Sequence, residues 1–381
     1  MNKFSILGII TLILVFISLL FAFFLLTVKT KNKTSNRLMA IYFVIFATHI
    51  SVFFYAQYIS LPLVLDMLRD QIMFLSSPLL FLYVLSAVYS DFKLERKHLL
   101  HLIPFVVEIL IFTPRFYAVN EGARIMFTQN FHSNIETKIS SIYGGLATVF
   151  YLMLIFVTLK KYKRILLENY SNDSTFNYKW LYQLTLLLTL IFVFATFKQI
   201  YVFFGDDIEV LNVMRIILTL LLLGFLSWIV LKSMYHPELF RGIDTKHQLV
   251  KNMLNRIELG SMTNSLNPKF SHQISNLQEY MESKEPYLDS SLTIQKLANQ
   301  MNIPFRELSI LINHHLGQHF FDFINEYRIK KAIKLLKNPA NSKLTILEII
   351  YDVGYNSKSP FNSAFKKHTG MTPTEYRKNH P

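Results

Sequence analysis

GYNSKSPFNSAFKKHTGMTPTEYR (residues 354–377) predicts one short helix between two glycine turns. Gly354 opens the turn before the helix, and Ser357 stands where an N-cap is expected. Phe361 and Phe365 are four residues apart, so they lie on one face and point inward. Polar and basic side chains at a helix N-terminus suit base edges, and the lysines that follow suit phosphates. The other face carries Lys358, Ser359, Asn362, Ser363, Lys366 and Lys367.

The sequence before this stretch predicts a second helix, and together the two have the spacing of a helix-turn-helix unit. Residues 292–317 (LTIQKLANQMNIPFRELSILINHHLG) repeat the same spacing, with a tight turn at 301–303. Between the two units, residues 319–337 (HFFDFINEYRIKKAIKLLK) predict one long amphipathic helix. Its inward face is apolar, and its outer face is predicted to be basic. That outer face carries Arg328, Lys330, Lys331, Lys334 and Lys337.

Residues from about 272 to 381 resemble the AraC/XylS-type DNA-binding domain of bacterial transcription regulators. The densest match is the 354–377 stretch, and EPYLDSSLT and FINEYRI upstream also fit. The resemblance implies two recognition helices that enter successive major grooves of double-stranded DNA. By position, the first helix would present Arg306, Ser309 and Ile310, and the second Lys358, Ser359, Asn362 and Ser363. Pro304 and the apolar Ile310 depart from the usual polar pattern of the first helix.

Composition shows that a second, very different part precedes this domain. The 381 residues are 52% hydrophobic and only 17% charged, yet the net charge is +14. A soluble globular protein has about 25% charged residues. Seven apolar runs are long enough to be membrane spans, or nearly so, at about 20 residues per crossing. They lie at about 4–28, 38–61, 72–90, 99–113, 139–159, 180–204 and 210–231.

Loop charges predict the orientation of these spans. The loops at 29–37, 91–98 and 160–179 carry twelve Lys and Arg, and the alternate segments carry five. By the positive-inside rule, the N-terminus lies outside and residues 232–381 lie in the cytoplasm. The fold class expected is therefore all-α: a seven-span bundle (1–231) in the cytoplasmic membrane, a junction (232–271) and the DNA-binding domain (272–381).

Ionisable residues inside the apolar runs are candidates for ligand binding, because charges in hydrocarbon usually pair or line a cavity. They are Glu108, Lys198 and Arg215, with His49 and Gln57 as lesser candidates. Glu108 could pair with either cation to hold helices together or bind a ligand. The alternative is that Lys198 and Arg215, near span ends, extend their charges to the membrane surface.

The junction contains a predicted helix at 244–259, with an apolar stripe of Leu249, Met253 and Ile257. Such a stripe packs against a neighbouring domain or forms a homodimer seam. His314, His315 and His319 are close in sequence, but no fourth ligand accompanies them, so no metal and no cofactor is predicted. The chain has no cysteine, which excludes disulfides, thiol nucleophiles and cysteine-based zinc sites.

These patterns predict a membrane-anchored, sequence-specific transcription regulator that couples a signal at the bundle to gene expression. Its expected partners are double-stranded DNA and the lipid bilayer, with a second copy and RNA polymerase as further candidates. No enzyme is expected, because no nucleophile–base pair or phosphate loop is found. The alternative is a membrane receptor or transporter whose basic helical domain is a protein-interaction module.

Overall fold

The computed structural model describes residues 6–28, 33–89, 92–171, 176–235, 268–341 and 343–379. Within these ranges every regular element is a helix, and an isolated antiparallel bridge joins Tyr170 to Thr293. The chain divides into two compact units. The first comprises Met1–Lys160 and Asn177–Thr245, and the second Lys161–Phe176 and Lys246–Pro381. The predicted junction helix with Leu249, Met253 and Ile257 lies outside the described residues.

The first unit is built from ten helices among the described residues, because its sequence is a succession of long apolar runs. They are α1 (Ile6–Thr27), α2 (Lys33–Ile50), α3 (Val52–Tyr55), α4 (Leu63–Gln71), α5 (Ser76–Val88), α6 (Ile103–Phe112), α7 (Glu121–Gln129), α8 (Ile135–Asn169), α9 (Phe176–Phe204) and α10 (Ile208–Tyr235). Helix α8 continues into the second unit, which begins at Lys161.

Seven helical stretches of this unit are long and apolar enough to cross a membrane, by length and composition. Each overlaps one predicted run. The run at 99–113, which is short in sequence, lies within a continuous helical stretch, Arg96–Tyr117, of 22 residues. That stretch gains length because a 3₁₀ turn precedes α6 and a π turn, Thr113–Tyr117, follows it.

Packing in the first unit joins α1 to α2 and α10, and α2 to α5. Phe21 and Phe43 meet edge to face, with ring centroids 5.2 Å apart, and Asn36 donates a 3.1 Å hydrogen bond to the Leu25 carbonyl. Trp180 and Trp228 stack at 5.0 Å between α9 and α10. Many large apolar side chains face outward instead of into this core. Phe16, Phe23, Leu110, Ile142, Leu146, Val157 and Phe197 are each at least 60% exposed.

The described C-terminal part of the second unit consists of seven short helices around two apolar cores. They are α11 (Pro268–Lys284), α12 (Ile294–Gln300), α13 (Phe305–Ile310), α14 (Phe320–Lys337), α15 (Ile346–Asp352), α16 (Lys358–Thr369) and α17 (Pro373–Asn379). A π turn, Leu311–His315, extends α13.

Helix α14 belongs to both cores, which is why the two helix pairs form one domain. Its first half contributes Phe320, Phe323 and Ile324 to the core with α12 and α13. Its second half contributes Ile329 and Ala332 to the core with α15, α16 and α17. Most positions where the helical spacing predicts an inward apolar side chain are confirmed as core, whereas Ile346 and Ala364, also predicted inward, are only half-buried. Leu292, Ile294, Leu297, Ala298, Leu308, Leu311, Ile312, Ile349, Ile350, Phe361 and Phe365 are each at most 4% exposed.

One predicted position on α14 is wrong. Arg328, expected on the exposed basic face, is fully buried. The reason is that α14 is packed by neighbours on more than one side, and three backbone carbonyls converge on this guanidinium.

Candidate nucleic-acid interface

Helix α16 begins after a turn that only glycine fits. Gly354 has φ of +88°, and a Cβ placed there would lie 2.7 Å from the carbonyl oxygens of both Tyr287 and Leu288. L-residues rarely adopt positive φ, and no side chain can occupy the space taken by those carbonyls. Ser357 occupies the N-cap position, as predicted, but its hydroxyl makes no capping hydrogen bond. At the other end Gly370 is left-handed, with φ of +78°, and its N–H donates to the Lys366 carbonyl.

Aromatic packing sets which face of α16 is exposed. Phe361 and Phe365 are completely buried. Tyr355 meets Phe361 edge to face at 5.3 Å, and Tyr376 meets Phe365 in the same way at 5.4 Å. Because these contacts hold the inner face from both sides, the helix cannot rotate about its axis without losing them.

The opposite face of α16 is polar and basic. All six predicted residues there are exposed, and they span the helix from its first turn to its last. The ammonium of Lys367 is 2.9 Å from the carboxylate of Asp322 on α14. The first turn holds no acidic residue, and Lys366, Lys367 and His368 lie in the last turn. The predicted residues are Lys358, Ser359, Asn362, Ser363, Lys366 and Lys367.

On helix α13 the three predicted DNA-contacting residues differ in exposure. Arg306 is exposed, and Ile310 is half-buried. Ser309, however, is only 1% exposed, so its hydroxyl is not available at the surface. Pro304 is at the N-cap position with extended ψ and makes no side-chain cap, because its ring carries no hydrogen-bond acceptor. The turn before it contains Asn302 at φ of +54°, a conformation that Asn tolerates better than most residues.

Sequence reasoning missed Asn313, which connects three parts of the second unit. Its side-chain nitrogen donates to the Ser309 carbonyl at 3.0 Å and lies 3.4 Å from the Glu168 carbonyl. Its side-chain oxygen accepts a 3.1 Å hydrogen bond from the Phe320 N–H. Nothing in the local pattern indicates this role, because Glu168 is 145 residues away in sequence.

Arg328 was also missed as a structural centre. Its Nε donates to the Tyr287 carbonyl at 2.7 Å, Nη2 to the Asp289 carbonyl at 2.9 Å, and Nη1 to the Ser171 carbonyl at 2.9 Å. Burial lowers the pKa of Arg328 to about 10, so the guanidinium stays charged at neutral pH. The guanidinium carbon is also 5.3 Å from the ring centroid of Tyr355. A buried charge needs this many partners to offset its lost hydration.

The other basic residues of α14 are placed nearer the surface, as predicted. Lys330 pairs with Glu326 four residues earlier at 2.7 Å. Lys331 pairs with Glu285 at the same distance. Exposed pairs of this kind contribute little to stability but hold charge in place.

In the first unit the predicted ionisable residues are not brought together as a pair. Glu108 is 2% exposed, and its carboxylate accepts a 2.7 Å hydrogen bond from Ser140. Arg215 donates to Asn212, three residues earlier at 3.3 Å, and Lys198 is half-buried.

Of the lesser candidates, the His49 ring nitrogen lies 3.4 Å from the Asp70 carboxylate, and Gln57 donates to the Phe53 carbonyl. In the second unit the rings of His314 and His315 are 5.1 Å apart. Over the described ranges, no group of three or more His, Asp or Glu side chains is placed to hold a metal ion.

Comparison with known proteins identifies the C-terminal helices. Residues 297–379 match the helix-turn-helix domain family. The chain is 28% identical over 116 residues to the Msm operon regulatory protein of Streptococcus mutans, covering 28% of this chain and 41% of that protein. It is 26% identical over 125 residues to the arabinose operon regulatory protein of Escherichia coli, covering 33% of this chain and 40% of that protein.

Among solved structures, the C-terminal domain of AraT, a response regulator from Geobacillus stearothermophilus, is 30% identical. The match covers 30% of this chain and 88% of that one, with a TM-score of 0.24. The chain spans about two fifths of the length of the two curated relatives named above. Both curated relatives are named as operon regulatory proteins. Residues 297–379 are an AraC-type helix-turn-helix domain.

Proposed function

We propose that the protein is a membrane-anchored transcription regulator that binds a specific two-part DNA site. The observation that carries the proposal is the face of α16, where six exposed polar or basic residues lie over a fully buried aromatic core within an AraC-type domain. The polar side chains of its first turns have the chemistry for base edges, and Lys366 and Lys367 have the charge for phosphates. Residues 328–381 hold eleven basic and three acidic residues, which favours a polyanionic partner.

In this proposal the two helix pairs are two helix-turn-helix units. The pair α12 and α13 forms the first unit, the pair α15 and α16 the second, and α14 sets the distance between them. Helices α13 and α16 are the recognition helices and enter successive major grooves. The exposed Arg306 and the half-buried Ile310 would contact bases in one groove, without the buried Ser309, and the residues of the α16 face would contact bases in the other.

The membrane part of the proposal rests on the outward apolar side chains of the first unit. A soluble protein rarely exposes apolar patches larger than a few hundred Å². In hydrocarbon the same side chains are at no disadvantage, and helices satisfy their own backbone hydrogen bonds there. The loop charges then favour a location in the inner membrane, with the N-terminus outside and the DNA-binding domain in the cytoplasm.

Signal coupling completes the proposal. Glu108, Lys198 and Arg215 are the proposed polar residues through which the bundle senses a ligand, because ionisable groups at such depth are costly unless they serve a function. A homodimer and a contact with RNA polymerase are further proposed partners of the C-terminal domain.

The test uses the full-length protein in lipid nanodiscs. Random-sequence duplexes are selected for binding, and affinity for the enriched site is then measured across a salt titration. We expect one enriched site with two contact patches about one helical turn apart, and an affinity that falls steeply with salt.

Variants separate base contacts from phosphate contacts. Lys358→Ala and Asn362→Ala should each cost about 1–3 kcal/mol on the enriched site and relax its base preference. Lys366→Ala should weaken binding to all sequences and reduce the salt slope by about 1. Lys284→Ala, an exposed lysine at the end of α11, makes the same charge change on a helix that packs in the other apolar core and is the matched control. If no sequence is enriched, or if Lys358→Ala binds the enriched duplex as tightly as the Lys284→Ala control, the protein-interaction alternative replaces this proposal.

A further inference from the structure

A short segment at the end of α8, Glu168–Ser171, packs against the first helix pair of the second unit. The hydroxyl of Ser171 donates to the Leu292 carbonyl at 2.6 Å, and its N–H lies 3.3 Å from the same oxygen. The neighbouring residues, Tyr170 and Thr293, form an antiparallel bridge. The 168–171 segment therefore adds to the backbone just before α12, as a strand would add to a sheet edge.

Arg328 stabilises this contact through hydrogen bonds to Ser171. Its Nη1 donates to the Ser171 carbonyl at 2.9 Å, and its Nη2 is 3.3 Å from the Ser171 hydroxyl. Both residues are completely buried, so water does not compete for these hydrogen bonds. Because the same guanidinium also binds the Tyr287 and Asp289 carbonyls, the segment and the domain share one polar centre.

The contact reaches α13, the helix proposed to enter the first major groove. Asn313 links the Glu168 carbonyl to the Ser309 carbonyl and hydroxyl, and Ser309 is 1% exposed. The backbone preceding α12 is occupied as well, and in helix-turn-helix proteins the first helix crosses the DNA backbone. In contrast, all six proposed DNA-contacting residues of α16 are exposed. The proposed contact residues of α16 are thus all open, whereas α13 is engaged by the chain itself at Ser309 and Asn313, with Arg306 still exposed.

We propose that the 168–171 segment is an intramolecular inhibitor of the first helix-turn-helix unit, held by Arg328 and Asn313. The inference rests on the proposed function and adds its regulation. While the segment is docked, only the second unit is free to bind its half-site, and the protein loses the effective concentration that two linked units provide. The segment begins with the last two residues of α8 and continues past its end, and the rest of α8 lies in one of the seven long apolar helical stretches. A displacement of that helix by a signal would release the segment.

The absence of cysteine from the chain allows a direct test. Tyr170 and Thr293 are a bridge pair, and paired residues of antiparallel segments have the Cα separation that a disulfide needs. The double variant Tyr170→Cys/Thr293→Cys is purified at full length in lipid nanodiscs and measured oxidised and reduced. The probe is a duplex enriched from a random pool by the reduced double variant. Each single variant, treated with the same oxidant, controls for the lost side chains.

We expect the oxidised double variant to bind the enriched duplex at least tenfold more weakly than the reduced form, with no redox effect in either single variant. Ser171→Trp, which places a large side chain in a fully buried position, should raise the affinity of the uncross-linked protein. Equal affinity of the oxidised and reduced forms, tighter binding of the oxidised form, or failure of the disulfide to form would each overturn the inhibitor role. If the reduced form enriches no duplex, the proposed function fails, and this inference fails with it.

Discussion

Replacing Gly354 with alanine tests whether the turn before α16 holds the DNA-binding domain together. Three glycines of this domain have positive φ: Gly317 at +64°, Gly354 at +88° and Gly370 at +78°. An alanine at any of them pays the strain of a left-handed backbone, about 1–2 kcal/mol. Only at Gly354 does the added Cβ meet other atoms, since at the other two positions it would have nothing within 4 Å.

The contact adds a second cost at Gly354. The Cβ would lie 2.7 Å from the Tyr287 and Leu288 carbonyl oxygens, so the backbone there must shift. The Tyr287 carbonyl also accepts the 2.7 Å hydrogen bond from Arg328, and a hydrogen bond from a charged donor is worth about 1.5–3 kcal/mol. With the strain and the weakened hydrogen bond together, Gly354→Ala should lower the free energy of unfolding by about 3–4 kcal/mol. Gly370→Ala adds only the backbone strain, so it should lower the free energy of unfolding by about 1–2 kcal/mol.

The assay is pulse proteolysis of the full-length protein in detergent micelles at graded urea, following the C-terminal domain. With a urea slope of about 1.5 kcal/mol/M for a small domain, Gly354→Ala should lower the midpoint by about 2 M, and Gly370→Ala by about 1 M. Equal shifts for the two variants would refute the reasoning, because the contact with the Tyr287–Leu288 backbone would then have no energetic weight.

The same assay checks three further expectations. Phe361→Ala should destabilise the domain by about 3–5 kcal/mol, since it leaves a cavity among rings that are already closely packed; a loss below about 1 kcal/mol would contradict the burial. Thr345→Ala should cost about 1 kcal/mol, because the Thr345 hydroxyl and the Glu348 carboxylate form a capping box, whereas Ser357→Ala should cost little since Ser357 makes no capping bond; the reverse order would be inconsistent with the structure. The hydrogen bond from Lys331, and after it the one from Tyr287, lowers the pKa of Glu285. The ionised Glu285 carboxylate therefore stabilises the folded domain above the ordinary carboxyl pKa, and this stabilisation is lost as pH falls through the lowered pKa of Glu285. The advantage of the wild type over Glu285→Gln should therefore shrink between about pH 5 and about pH 3, and a constant difference would count against the ion pair.

Local pattern was sufficient for the helices and for most of the core. The spacing of apolar residues predicted which face of each C-terminal helix is buried. A helix has a fixed period, and burying the apolar face away from water is favourable whatever the rest of the fold. Length and hydropathy likewise predicted seven helical stretches in the first unit. The exposed face of α16 followed from the same logic, since Phe361 and Phe365 leave only one side for the polar residues.

Local pattern was not sufficient where distant backbone atoms decide the environment. Arg328 was predicted to be exposed from its basic neighbours, and Ser309 was predicted to face DNA from its position on α13. Burial of Arg328 depends on carbonyls at positions 171, 287 and 289 converging on one point, and the Ser309 carbonyl and hydroxyl share Asn313 with Glu168.

By itself the sequence determined the secondary structure, the apolar faces and the likeness to an AraC-type domain, because these depend on periodicity and on short motifs. Only the tertiary structure decided which polar residues are buried and which carbonyls they bind. The physical reason is that a hydrogen bond between residues 145 or 157 positions apart has no trace in either local stretch. Whether a serine or an arginine is a surface group or a structural centre depends on what the rest of the chain places beside it.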